Sequence, residues 1–163
     1  YKTYNKKLHP FVSLFRRNSI STSALTIEKK TIESEGGFDA SIVSGQDYEL
    51  WLRLAKKEPI FFIKKILTFH SIREGSLGSN PERRFVCMLK IYKIHEKDLS
   101  KFSNAAFIER RMFLSKVYLQ YSYGLFSQGL YKKAIVSLLR GMAYWPFRVD
   151  LLVRLVKYGF KTT

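Results

Sequence analysis

Hydrophobic and polar positions follow two different rhythms along this chain, and the change falls near residue 80. Through Pro10 the chain is polar and basic with scattered aromatics and no sustained period, which predicts a connecting segment. Residues 11–15 rise in apolarity, as a short helix or a strand would, before the polar run Arg16-Arg17-Asn18-Ser19. Residues 20–27 set Ser and Thr among Ile, Ala and Leu in near alternation, which predicts a strand. Residues 28–35 predict a short helix stopped by Gly36-Gly37, because glycine accepts the left-handed conformation that ends helices. A second helix is predicted from Gln46-Asp47 to about Lys57, ahead of Pro59. On it Tyr48, Trp51, Leu52 and Ala55 share one face and Leu50 and Leu54 line another, leaving Glu49, Arg53 and Lys56 as the solvent strip. Residues 60–63 and 66–72 then predict two strands joined at Lys64-Lys65, followed by a Gly/Ser-rich loop over 73–79.

Beyond residue 80 the period becomes helical. Asn80 has the chemistry of a helix cap, Pro81 suits the first turn, and Glu82 sits near the positive end of the dipole. Phe85, Met88, Leu89 and Tyr92 supply an apolar face. A polar break over 97–104 precedes a long helical pattern to Gln128, then Gly129, then a helix from Tyr131 to about Tyr144 closed by Pro146. A short apolar and basic element is predicted over 149–160. The expected fold is α/β: a small mixed sheet with short helices over 1–80, and an α-helical region over 81–163.

Composition narrows the function classes. With 46% apolar and 15% aromatic residues in 163, the chain exceeds what disordered segments carry and is long enough for one domain with a core. The formal charge of +16 means that the surface attracts phosphates, whether of nucleic acid, lipid headgroups or nucleotide-sugars. Basic pairs such as Lys6-Lys7, Arg16-Arg17, Arg83-Arg84 and Lys132-Lys133 are dispersed, as on a folded surface rather than a basic arm. The aromatics fall at core spacings and no nucleic-acid-binding motif occurs, so a nucleic-acid partner is not expected. Cys87 is the single cysteine, which excludes an internal disulfide framework and predicts a buried thiol. No run of eighteen apolar residues predicts a spanning helix. The opening Tyr1, without initiator methionine or signal-peptide pattern, leads to the expectation of a piece of a longer protein, cytoplasmic or peripheral at the inner face of the cell membrane.

The stretch from about 18 to 80 carries the informative motifs. It holds a serine-bearing segment at Ser23, then Glu35-Gly36-Gly37-Phe38-Asp39, then Gln46-Asp47-Tyr48-Glu49-Leu50-Trp51-Leu52-Arg53, then Pro59-Ile60, then Glu74-Gly75-Ser76. In order and spacing this resembles the acceptor-side part of the family-two glycosyltransferases of the GT-A type. The resemblance implies an inverting transfer of a sugar from a nucleoside diphosphate to the hydroxyl of a glycan or lipid-linked acceptor. It implies Asp47 as general base, Gln46, Asn18 and Ser23 at or near the acceptor, and Arg73 on the diphosphate. Aspartate at a helix start is also a common cap, so the residue type alone leaves both roles open. Two departures stand out: Gln46 occupies a position usually acidic, and Ser71 and Arg73 stand where an Arg-x-His run is usual, with His70 one residue early. No histidine metal ligand is therefore expected there. No Asp-x-Asp motif occurs, so the nucleotide-sugar donor and its divalent cation, Mg or Mn, are expected to belong to a donor-binding half outside this chain, and the piece alone is expected to be inactive. Tyr48 and Trp51 are read as core residues, and Asp39 as a hydrogen-bond acceptor that fixes its loop.

The helical region contains Gly129-Leu130-Tyr131-Lys132-Lys133-Ala134-Ile135, then Leu138, Gly141, Met142 and Pro146, with Tyr118 and Leu125 before them. This resembles one tetratricopeptide repeat, in which small residues such as Ala134 and Gly141 let two helices approach closely. One repeat is too few for a solenoid, so a helical hairpin closing on the body is expected, with a helical-repeat interaction module as the alternative function. The closing segment 145–161 mixes aromatics and leucines with Arg148, Arg154, Lys157 and Lys161, which suits either an anionic membrane surface or a capping helix.

Overall fold

The computed structural model describes residues 2–3, 8–63, 65–69 and 80–147. In chain order they form β1 (Lys2–Thr3), α1 (Pro10–Arg16), α2 (Lys29–Ser34), α3 (Gln46–Leu54), β2 (Phe61–Phe62), α4 (Pro81–His95), α5 (Leu99–Phe102), α6 (Ala106–Ser127) and α7 (Tyr131–Tyr144). The expected α/β fragment with a mixed sheet is overturned. Helices dominate, and the sole strand pairing among the described residues is the two-residue antiparallel ladder of β1 with β2. Residues 20–27, predicted as a strand, instead carry a single 3-10 turn at Thr22–Ala24. Alternation alone makes no strand, because a ladder needs a hydrogen-bonding neighbour, and here Ile20, Leu25 and Ile27 spend their apolar surface directly on the core. Residues 66–69, the described part of the other predicted strand, have no ladder partner, and Ile66 and Phe69 stand 84% and 95% exposed.

The helical expectations hold better. Gly36 and Gly37, at φ +78° and +71°, end α2 where predicted. The Asn80 side chain accepts from the Arg83 amide at 2.9 Å and Pro81 opens α4, while α7 has the predicted bounds. Residues 11–15 resolve to helix: Pro10 occupies the first turn of α1 and His9 Nδ1 accepts from the Phe11 amide.

One core collects residues from both sides of position 80. Phe11, Leu14 and Phe15 of α1, Leu50 and Leu52 of α3, Ile91 of α4, Leu99 of α5 and Phe113 of α6 pack into a single cluster. Cys87 is buried in it, and Trp51 and Tyr48 are core residues as expected. The Tyr48 hydroxyl donates toward the carbonyls of Leu14 (3.1 Å) and Phe15 (3.3 Å), two of the groups a helix leaves unpaired at its carboxyl end. A second cluster of Leu119, Leu125, Ala134 and Leu138 joins α6 to α7. There a Cβ on Gly141 would lie 3.2 Å from both the Ser115 carbonyl oxygen and the Tyr118 Cβ, so the two helix backbones meet closely at that point. Segment 148–163, with the predicted final element, lies outside the described residues.

The solvent strip assigned to α3 is also corrected. Glu49 is 2% exposed because α4 packs across it, bringing His95 Nε2 to 3.3 Å from its Oε1, while Arg53 closes a fork on both carboxylate oxygens at 2.8 and 2.9 Å. Arg53 also donates to the carbonyls of Glu35 and, at 2.6 Å, of Gly37. This one guanidinium therefore ties the Gly-Gly-Phe-Asp turn to the Asp-Tyr-Glu-Leu-Trp-Leu-Arg helix and explains why the two motifs lie side by side.

Candidate functional site

Gly45 turns the chain into α3 with φ +80°, a conformation that a side chain would strain, and Asp47 follows as the second residue of the helix. Its carboxylate is held at both oxygens: Thr22 Oγ1 donates to Oδ2 at 2.6 Å, and the Tyr48 amide donates to Oδ1 at 2.8 Å. The second contact satisfies an amide of the first turn, so Asp47 does part of a cap's work, yet it stays half-buried rather than sealed. The 3-10 turn that replaced the predicted strand is what delivers Thr22 to this carboxylate.

Asp47 borders a cleft of about 290 Å³ between the start of α3 and the flanks of α4 and α6. Phe15, Met88, Phe113 and Val117 give it an apolar floor, and Asn18, Arg84, Lys116 and Gln120 bring polar ends to it. A second cleft of about 240 Å³ adjoins it across Arg84, Met88, Val117 and Gln120, and continues along α4 and α6 past Phe85, Tyr121, Tyr123 and Gly124.

Of the residues singled out from sequence, the structure brings Asp47 and Asn18 to one cleft. Asn18 Oδ1 accepts weakly from the Ile20 amide at 3.4 Å. Ser23 is exposed on the turn beside Thr22, hydrogen-bonded to Ser21 Oγ and outside the lining of the cleft. Gln46 is exposed at the first position of α3 and also outside the lining. Arg73 and His70 lie outside the described residues. Asp39 fixes its loop as expected, with Oδ1 accepting from both the amide (2.8 Å) and the hydroxyl of Ser41; that bonding, assisted by Lys90, lowers its carboxyl below the usual range.

Sequence reasoning missed Thr22, Arg84, Lys116 and Gln120. Thr22 was absorbed into a strand. Arg84, Lys116 and Gln120 sit on helices 37 to 73 residues downstream of Asp47, and nothing in a one-dimensional pattern links them to it. Among the described residues, no group of three His, Cys, Asp or Glu side chains could hold a metal ion, and no helix is long and apolar enough to cross a membrane. Comparison with protein-family models, with curated proteins and with solved structures returns no match.

Proposed function

We propose that this chain is the acceptor-side part of an inverting glycosyltransferase resembling the family-two enzymes, with Asp47 as general base. The reading is carried by one observation: a half-buried carboxylate, oriented by Thr22 and by a helix-start amide, borders an open cleft large enough for a sugar unit. A base must be reachable from the cleft and aligned with the proton that it takes.

In this reaction an acceptor hydroxyl in the cleft gives its proton to Asp47 as its oxygen bonds to the anomeric carbon. The bond from that carbon to the nucleoside diphosphate breaks on the opposite face, and the configuration inverts. Asn18 and Gln120 offer hydrogen bonds to the acceptor's other hydroxyls, and the floor of Phe15, Met88 and Phe113 takes the apolar side of the ring. The donor and its divalent cation would be held by a part of the enzyme beyond this chain. The setting we infer is cytoplasmic, where nucleotide-sugars are made, with the basic surface able to rest against an anionic membrane.

The test is transfer from a nucleoside-diphosphate sugar by the full-length protein carrying Asp47→Asn. Loss of the base is expected to lower kcat by about 10²–10⁴-fold with little change in KM. Transfer at the unsubstituted rate by a folded Asp47→Asn protein refutes the assignment.

A further inference from the structure

The proposed reaction leaves the chemical nature of the acceptor open, and the charges around the cleft bear on it. Resting on that functional reading, we propose that the α4–α6 groove selects an acceptor sugar that carries an oxyanion, a phosphate or a carboxylate, which binds between Arg84 and Lys116 while its reacting hydroxyl meets Asp47.

Three observations converge. First, Arg84 and Lys116 both line the cleft that Asp47 borders, and Asp47 is its only acidic lining residue; the Lys116 ammonium also donates to the Arg16 carbonyl at 3.3 Å, which holds it at the cleft. Second, the Arg84 guanidinium makes no hydrogen bond or ion pair among the described residues. Acidic partners elsewhere are already engaged: Glu109 with Arg16, Glu49 with Arg53, Asp98 with Lys56 and Lys101, and Glu35 with Lys57. Glu82, two residues before Arg84 on α4, accepts from the Tyr121 hydroxyl. Third, Arg84 stands where the two clefts join, so it faces both the reacting end and the extension past Phe85, Tyr121 and Tyr123.

A neutral acceptor would gain only ordinary hydrogen bonds from two cations at this spot. A phosphate or carboxylate matches the donor fork of arginine and the point charge of lysine, and on an apolar floor such charge-assisted bonds are stronger than in open water. The linings also separate the roles along the groove: Asp47 and Lys116 line the first cleft, Arg84 stands at the junction, and Phe85, Tyr121 and Tyr123 beyond it can take the next residue of a longer glycan.

The experiment is a titration of the full chain, followed by amide chemical shifts and calorimetry at physiological salt, with glucose 1-phosphate, glucuronate and glucose as probes. Binding of one or both anionic sugars, with shifts at residues 84, 116 and 18 and no comparable effect of glucose, is expected. Arg84→Gln and Lys116→Gln should each weaken it about tenfold or more, while Lys29→Gln, at a remote exposed site, leaves it unchanged. Which anion binds tells phosphate from carboxylate. Equal binding of glucose, absence of binding by both anions, retention in both cleft variants, or an equal loss in Lys29→Gln would each overturn the proposal. Asp47→Asn should retain or tighten anion binding, because it removes the one opposing charge. An intact anion site together with unimpaired transfer by Asp47→Asn would therefore sink the base assignment while leaving the anion site standing.

Discussion

Gly124 offers a sharp test of the helix packing that forms the groove. It lies inside α6, where replacement of glycine by alanine ordinarily stabilises a helix by about 1 kcal/mol. Here a Cβ on Gly124 would sit 2.3 Å from Pro81 Cβ and 3.1 Å from Pro81 Cγ. Carbon atoms pack at about 3.5–4.0 Å, so α4 and α6 must separate by roughly 1 Å or more to admit one methyl. Pro81 cannot swing aside, because its ring is fixed in the first turn of α4 and the Asn80 cap anchors that turn. Overpacking of this kind costs about 1–3 kcal/mol, which outweighs the propensity gain. Gly124→Ala should therefore lose about 1 kcal/mol net, seen as a lower urea midpoint at constant slope and a melting temperature reduced by about 2–4 °C. Pro81→Gly removes the opposing Cβ, so the double variant should recover the loss assigned to the clash, giving a coupling energy of about 1 kcal/mol or more. Stabilisation by Gly124→Ala alone, as at an open helical position, would show that the helices do not meet there and that the far half of the groove is wrongly drawn.

Two further outcomes follow from the buried charges. His95 is fully buried, and burial lowers its pKa from the ordinary 6.5 despite the neighbouring Glu49 and Asp98, with Lys56 pushing the same way as burial. The folded chain thus holds His95 neutral, the unfolded chain binds its proton first, and stability is complete above pH 6.5 and declines as the pH falls below it. Burial alone would raise the Glu49 carboxyl, but His95 and Arg53 outweigh it and hold it below 4.5, so its contribution is present above that pH and lost only further into acid. His95→Phe should flatten the dependence of the urea midpoint on pH between about 4.5 and 6.5; an unchanged slope would contradict the assignment. The Arg16–Glu109 pair should respond unequally to its two halves, because the Glu109 side chain is fully buried and that of Arg16 is 42% exposed. Arg16→Met strands a buried carboxylate and should cost about 3–5 kcal/mol, whereas Glu109→Gln leaves a cation that can reach water and should cost about 1–2 kcal/mol by denaturant titration. Equal losses would mean that Glu109 finds another partner or water.

The helices of this chain are written locally. Asn80-Pro81, Gly36-Gly37, Gly129 and the three-and-four spacing of apolar residues act within a turn or two, so α2, α3, α4, α6 and α7 were legible from the sequence, as were the core roles of Tyr48 and Trp51 and the loop-fixing role of Asp39. The place of Asp47 at a helix start was legible too, because it depends on immediate neighbours, whereas the role of base came from the resemblance of the surrounding motif and not from local pattern. The expected sheet could not be judged in this way. A strand exists only through a partner, and the alternating residues 20–27 found a hydrophobic surface instead of a ladder.

Tertiary structure alone decided what Asp47 faces and what is buried with Glu49. Arg16 and Glu109 meet across 93 positions, and Thr22 reaches Asp47 across 25, separations at which sequence periodicity carries no information about contact. Glu49 looks solvent-facing when α3 is considered alone, and becomes a core residue only because α4 lays His95 over it. The same packing of α4 and α6 against the start of α3 brings Arg84, Lys116 and Gln120 to the carboxylate. A helix pattern specifies which side chains share a face, but not which face of which other helix they will meet. The groove is a product of that meeting.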